Sequence, residues 1–317
     1  LWGDSFFGEK TWEKAESALQ KQAVALTLQK TCAQANDVRY LFAGDLLGQN
    51  IASSFGIKDY NIPLFGLYGA CSTCGESLTL GSMNIAAGYA DRVIALTSSH
   101  FASAQKEFRF PLEYGSQRPL YASWTVTGSA AFLLQGVNAN GKSASGRQIK
   151  NVFESEHGGK VGITGVTVGK IEDFGIKDSF NMGCAMAPAA AWTIATHLKD
   201  FGRTPKDYDA IFTGDLGSVG QQALFNLLSQ EDIDISDNHY DCGMLIYDAE
   251  KQDVHAGGSG CGCSAVVLSA HILQKLAKKQ WKRVLFVPTG ALLNKTSFNE
   301  GQNVPGIAHA VVIEAIA

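Results

Sequence analysis

The chain has 317 residues, 45% of them hydrophobic and 18% charged, enough to bury one large core or two domains of ordinary size. A formal net charge of −4 and a pI near 6.0 give no general attraction to nucleic acid or anionic lipid, so no nucleic-acid partner is expected. No apolar run reaches the length of a membrane span, which leaves peripheral contact as the only membrane association to consider.

Seven cysteines, an odd and scattered set running from Cys32 to Cys263, suit a reducing compartment better than a disulfide framework, so the cytoplasm is the expected location. Leu1 stands where an initiator Met would, which leaves room for a removed or missing N-terminal segment.

Thr11 is placed to cap a helix, with Glu13 in its first turn. Trp12, Ala15, Leu19, Ala23 and Leu26 recur at helical spacing behind it, predicting an amphipathic helix over 12–31. Val38 to Ala43 reads as a short buried strand closed by Gly44-Asp45, Asn50 to Phe55 as a short helix, and Ile62 to Leu67 as a second strand. A turn at Gly69-Ala70-Cys71-Ser72 leads into a small-residue helix pattern from Leu78 to Ala90, followed by a strand at Arg92 to Thr97. Residues 105–127 are rich in aromatics, Gly and Pro and predict a long ordered loop over a site or an interface. Gly128 to Leu134 returns to strand, and the Gly/Ser/Asn/Lys-rich stretch 138–148 is the expected domain boundary, dividing the chain into 1–140 and 141–317.

The second part repeats the first. Tyr40 to Asp45 (YLFAGD) is answered by Ala210 to Asp215 (AIFTGD), and Arg92 to Thr97 by Arg283 to Pro288. The turn at 69–72 is answered by Gly260-Cys261-Gly262-Cys263. Strands alternating with helices predict an α/β fold with mainly parallel sheets covered on both faces. A pseudo-twofold relation would bring both Gly turns to a shared interface.

Cys71 is the residue with the clearest chemical potential. A strand turning sharply into a helix sets it at a helix N-terminus, where unsatisfied N–H groups and the dipole favour an anion and a lowered thiol pKa. Cys71-x-x-Cys74 and Cys261-x-Cys263 lack the spacing of common zinc knuckles, and buried small cysteines account for them better. Gly258-x-Gly260-x-Gly262 lacks the spacing and acidic partner of a dinucleotide fingerprint.

The duplicated order, with Ala70-Cys71-Ser72-Thr73 at the first turn, resembles the thiolase-like superfamily, which includes the β-ketoacyl synthases. Its usual first strand has no counterpart ahead of the Trp12 helix. A closer resemblance is to the stage V sporulation protein AD family, through Ala43 to Asn50 (AGDLLGQN), Gly69 to Thr73, Thr97 to His100 (TSSH), Phe108 to Gly115 (FRFPLEYG), Thr125 to Gly128, Met186 to Ala191 (MAPAAA), Gly202 to Pro205, Gly257 to Cys261 and Thr289 to Leu293.

This resemblance implies two halves in a five-layered α-β-α-β-α unit, assembled as a homodimer. It also implies a small-molecule binding protein for dipicolinic acid (pyridine-2,6-dicarboxylate) or its calcium complex, serving uptake into the developing spore. Such a protein would be peripheral to the spore inner membrane and work with membrane channel proteins of the same system. No cofactor is expected, and calcium enters only as part of the ligand's chelate.

Catalysis by Cys71 would need His or Asn partners for the enolate and for proton transfer. In the catalytic relatives these lie on loops of the second half. Here Thr213-Gly214-Asp215-Leu216-Gly217 offers neither, Ser259 stands where a thiolase His falls, and His255 is expected on the preceding strand. The resemblance therefore implies a retained pocket without condensation, and a condensing enzyme or acyltransferase using Cys71 is the alternative. A purely structural partner in the channel complex is a third.

The expected ligand set is Asp45, Cys71, His100, Arg109, Asp215, Ser259 and Gly260, with Arg118 as a further cation. Helix N-termini at the two Gly turns would supply N–H donors to a carboxylate, and arginine matches its planar geometry. Plainer roles compete: Asp45 and Asp215 as caps, the arginines in a subunit interface, and His100 bonded to backbone.

Overall fold

A computed structural model describes residues 4–108, 118–136 and 159–316. The expected boundary at 138–148 and Arg109 lie outside these residues.

In the first half, α1 (Trp12–Lys30) starts where Thr11 Oγ1 accepts from the Lys14 N–H at 3.3 Å. Its buried face is Ala15, Glu16, Gln20, Val24 and Leu28, whereas Leu26 is 53% exposed. The apolar stripe read from the sequence is thus offset from the face that packs, which carries two polar residues. There follow β1 (Tyr40–Gly44), α2 (Ile51–Ile57), β2 (Leu64–Gly66), α3 (Thr73–Ala86) and β3 (Arg92–Ser99).

β2 is shorter than the run 62–67 predicts, and α3 begins five residues before the expected Leu78 because the single turn Ala70–Ser72 runs straight into it. α4 (Phe101–Phe108) takes the start of the stretch expected to be loop. Its buried residues Ser103, Ala104 and Phe108 share one helical face. Then come β4 (Trp124–Thr125) and β5 (Gly128–Gln135).

The second half runs β6 (Lys160–Thr167), α5 (Met182–Phe201), β7 (Ala210–Thr213), α6 (Gly217–Ser229), β8 (His239–Asp241), α7 (Cys242–Leu245), β9 (Gly258–Ser259) and α8 (Cys261–Val267). A wide helical turn at Leu268–Ile272 carries α8 into α9 (Leu273–Ala277). β10 (Arg283–Val287), β11 (Thr289–Ala291), α10 (Lys295–Asn299), β12 (Gly306–Ala308) and β13 (Ala310–Ile316) complete the chain.

The duplication is visible in the sheets. The first has the order β2-β1-β3-β5 and the second β8-β7-β10-β13-β6. β1 is parallel to β2 and β3, with Leu41 opposite Ile94, while β5 is antiparallel to β3. β7 is likewise parallel to β8 and β10, and β13 antiparallel to β10. β6 adds a fifth strand outside β13; among the described residues no strand lies outside β5.

Alternation along the strands builds the layers. Leu41, Ala43, Ile94 and Leu96 pack with Val24 and Leu28 of α1 on one side of the first sheet. Ala95 faces the other way, joining Cys74 and Leu78 of α3, Cys263, Ala265 and Leu268 of the α8 segment, and Phe212, Val284 and Phe286 of the second sheet. The far side of the second sheet, with Ile211, Leu285 and Val312, meets Met186, Ala190 and Ile194 of α5 and Leu224 of α6. The order is helix, sheet, paired helices α3 and α8, sheet, helix. Both Gly turns open into this central layer.

Candidate functional site

Cys71 sits in the turn between β2 and α3, following Ala70 with its φ of 50°. A positive φ at a non-glycine residue is a strained position held by its surroundings. The turn is braced from within: Ser72 Oγ donates to the Gly69 carbonyl at 2.6 Å, and Thr73 Oγ1 donates to that of Ala70 at 2.7 Å. Cys71 is only 6% exposed.

The second half brings Asp215 to the thiol. This residue follows β7, is 1% exposed, and is held by the turn before α8 and by β11. The Gly260 N–H donates to its Oδ2 at 2.8 Å, and Thr289 Oγ1 donates to its Oδ1 at 2.8 Å. Gly260 has a φ of 106°, and a Cβ there would stand 2.7 Å from Ser99 Oγ, so the turn that aims this N–H requires glycine. The Cys71 thiol and the Asp215 carboxylate are close enough to act on each other's charge.

Electrostatics follow from burial. Desolvation first, then the neighbouring Asp215 and Cys261, push the Cys71 thiol well above its ordinary pKa. Asp215 is itself pushed up to about 6 by desolvation, against the lowering effect of its donors. The α3 N-terminus does not deliver a thiolate here, because burial outweighs the dipole. The donors of the second turn are also spent. Gly260 serves Asp215, and the Gly262 N–H donates to Ser99 Oγ at 3.1 Å. Asp215 holds the anion position expected for a ligand carboxylate.

Above Cys71 lies a small cavity lined by Leu46, Tyr68, Ala70, Cys71, Phe108, Met182, Ala291 and Leu293. It offers about 10 Å³ to a water-sized body, the threshold for holding one water. Among the described residues the lining is apolar apart from Tyr68 and the thiol and contains no His or Asn.

Of the residues singled out from the sequence, Cys71, Asp215 and Gly260 meet at one point. Asp45 does not line the cavity. Its Oδ1 accepts from the Leu47 N–H at 2.9 Å, and its Oδ2 from the Ser53 N–H at 2.8 Å and from Ser53 Oγ at 2.6 Å. His100 is 1% exposed, with Nε2 at 2.9 Å from the Ser5 carbonyl and Nδ1 accepting from the Ala102 N–H at 3.2 Å. Ser259 is on β9, paired with Thr125. Arg118 pairs with Asp253 at 2.8 Å and lies over the Trp124 ring at 3.9 Å. His255 is in a turn rather than on a strand, with Nδ1 at 3.0 Å from the Pro119 carbonyl and Nε2 at 3.1 Å from Asp253. Tyr68, Phe108, Met182 and Leu293 complete the cavity from four separate segments; Phe108 and Leu293 sit at the ends of stretches that carry the family resemblance, but no local pattern marked any of the four as a cavity residue.

The profile of the stage V sporulation protein AD family matches residues 1–314. The chain belongs to this family. It is 44% identical over 306 residues to stage V sporulation protein AD of Bacillus subtilis (strain 168), across 96% of this chain and 84% of that protein. Its fold is similar to that of an OleA variant from Xanthomonas campestris, with a TM-score of 0.59 at 12% identity over 94% of this chain and 82% of the other. It is also similar to 3-oxoacyl-[acyl-carrier-protein] synthase III from Aquifex aeolicus, with a TM-score of 0.56 at 10% identity over 96% and 85% of the two chains. These likenesses show the thiolase-like fold. A sporulation protein on a condensing-enzyme scaffold is therefore established. Among the described residues no helix is long and apolar enough to cross a membrane, and no group of three His, Cys, Asp or Glu side chains could hold a metal ion.

Proposed function

We propose that the protein binds dipicolinic acid, or its calcium complex, in the cavity over Cys71 and serves its uptake into the developing spore. In this reading it works with channel proteins at the spore inner membrane and does not turn the ligand over. The observation that carries the non-catalytic part is the thiol's environment: a buried, protonated Cys71 close to a carboxylate, beside a cavity whose described lining holds no imidazole or amide side chain. A condensing enzyme needs a thiolate and an oxyanion or enolate donor, and this lining supplies neither. Family membership supports the ligand. Ligand pockets run to roughly 300–1,000 Å³, so Phe108 and Leu293 must withdraw before any ligand enters.

Homodimer formation belongs to the same proposal. β2 is an edge strand whose Leu64 and Phe65 are 39% and 48% exposed, and Tyr68 and Met83 nearby are 45% and 47% exposed. An unpaired apolar edge of this kind is a template for a second copy.

A second reading, acyl transfer through Cys71, draws on the same contact, since Asp215 could accept the thiol proton. Calorimetric titration with dipicolinate, with and without calcium, beside incubation with an acyl-coenzyme A, separates the two. Saturable dipicolinate binding weakened by Cys71→Ala supports the binding protein. Silence toward dipicolinate, with covalent acylation of Cys71, supports the enzyme.

A further inference from the structure

We propose that the open edge of the second sheet, at β8, is a docking surface for a lysine- or arginine-rich protein segment that also carries apolar side chains. The inference does not depend on the ligand of the Cys71 cavity.

Charge is the first observation. No Lys or Arg occurs between Lys206 and Lys251. Within that run Glu231, Asp232, Asp234 and Asp237 lead into β8, and all four are exposed. Among the described residues none of the four forms an ion pair. The whole chain carries a net charge of −4, so this approach to β8 concentrates negative field on one side of the molecule.

Shape is the second. Among the described residues β8 pairs with β7 alone and ends the second sheet. The Ile211 N–H donates to the Asn238 carbonyl at 2.9 Å. Alternation therefore turns residues 238 and 240 toward β7 and the backbone of His239 toward the open side. On this edge and just past it, Tyr240, Met244 and Leu245 are 39%, 40% and 46% exposed. The strand beneath is firmly held. His239 Nε2 lies 3.0 Å from Thr213 Oγ1 and its Nδ1 2.9 Å from Gln221 Nε2, while Asp241 Oδ2 accepts from Thr213 Oγ1 at 2.7 Å. A partner meets a preorganised surface, which lowers the entropy lost on binding.

Acids followed by apolar side chains select the occupant. A second copy of this chain fits badly, because a twofold contact would set the same acids against each other. Anionic lipid and nucleic acid are repelled for the same reason. A metal ion has no seat, since no three His, Cys, Asp or Glu side chains of the described residues converge. An extended segment satisfies every feature: its Lys or Arg side chains meet 231–237, its apolar ones cover Tyr240, Met244 and Leu245, and its main chain pairs with His239. Cytoplasmic loops of membrane proteins carry such an excess of Lys and Arg, which gives a protein of this charge a route to a membrane without touching lipid.

The test uses the full chain and a labelled synthetic peptide of alternating Lys and Val that bears a photo-crosslinker. Fluorescence anisotropy should show saturable binding, weakened about tenfold or more by the double substitution Asp234→Lys and Asp237→Lys. Glu9→Lys with Glu300→Lys changes the net charge equally at exposed acids elsewhere and should leave the affinity within about twofold. Leu245→Ser should weaken binding about threefold or more through the apolar part. Crosslinks on the wild-type protein should map to 231–246, a readout that needs no variant to fold. Equal weakening by both double substitutions, crosslinks mapping elsewhere, no saturable binding, or preference for vesicles of phosphatidylcholine and phosphatidylserine over the peptide would each overturn the inference.

Discussion

The Cys71 thiol lies within electrostatic reach of the Asp215 carboxylate across the boundary between the two halves. One partner lies on the turn before α3 and the other just after β7, about half the chain apart, so this proximity exists only when the halves are docked. Burial first, and then the negative charge of the neighbouring carboxylate, keep the thiol protonated.

Slow thiol chemistry follows. Cys32 is exposed, whereas Cys71, Cys74, Cys242, Cys261 and Cys263 are buried. Iodoacetamide at neutral pH should label Cys32 first, with Cys71 reacting only on the timescale of opening or unfolding. Intact-mass and peptide mapping over time read this directly. Early alkylation of Cys71 in the native protein would point back to an activated nucleophile.

Glu16 should make stability depend on pH. It is fully buried on α1, where Ser98 Oγ donates to its Oε1 at 2.8 Å and Ser103 Oγ donates to its Oε2 at 2.7 Å. Desolvation first, then the nearby Asp45, push its pKa up to about 8. A raised acid pKa gives stability that is fully present below the unfolded value, near 4.5, and lost as pH rises toward 8. The loss is on the order of 5 kcal/mol at most. Urea midpoints of the wild-type protein should fall across this window, and those of Glu16→Gln should stay nearly level.

Gly262 packs directly against the first half. A Cβ there would lie 2.5 Å from Ser99 Oγ, 2.6 Å from the Gly128 carbonyl oxygen and 2.8 Å from the Ser99 nitrogen. Two of these atoms are backbone and cannot step aside. Gly262→Ala should therefore cost about 3 kcal/mol and lower Tm by ~5–10 °C, as read by scanning calorimetry. An unchanged Tm would mean that the interface yields more easily than its spacing implies.

Opening of the cavity is testable through Leu293, which is 8% exposed and lines it. Leu293→Ala should destabilise the fold by about 2–3 kcal/mol yet speed association with dipicolinate, because a wall has been cut back. Stopped-flow binding alongside urea denaturation separates the two effects. Slower association would place the entry route elsewhere.

The edge of the first sheet gives an assembly prediction. Leu64→Lys puts a charge on β2, a standard deterrent to edge pairing. Sedimentation velocity should show the wild-type protein as a dimer and this variant shifted to monomer, with thermal stability little altered.

Much of the fold was legible because the duplication printed the same landmarks twice. Both Gly-Asp pairs follow central strands, and both Gly turns open helices of the middle layer. The site was less so. Cys71 and Gly260 announced themselves by local pattern, but the meeting of Cys71 with Asp215 is tertiary. Leu46, Phe108, Met182 and Leu293 are ordinary apolar residues that acquire a role only by position. Glu16 and Gln20 were hidden for the opposite reason. Polar residues on a helix read as its solvent face, and only the partners Ser53, Ser98 and Ser103 make their burial affordable. The aromatic stretch 105–127 suggests a loop, yet its first residues up to Phe108 continue a helix that starts at Phe101, with Ser103, Ala104 and Phe108 on a common face.

Asp45 and Asp215 occupy matching places in the two halves and have parted company. Asp45 gives both oxygens to Leu47 and Ser53 and works as an internal strut; Asp215 gives its oxygens to Gly260 and Thr289 and sits close to the Cys71 thiol. The same acidic corner thus occurs twice in one chain and is put to two different uses. Substitutions near the first should be filtered by foldability, and those near the second by what the protein has to hold.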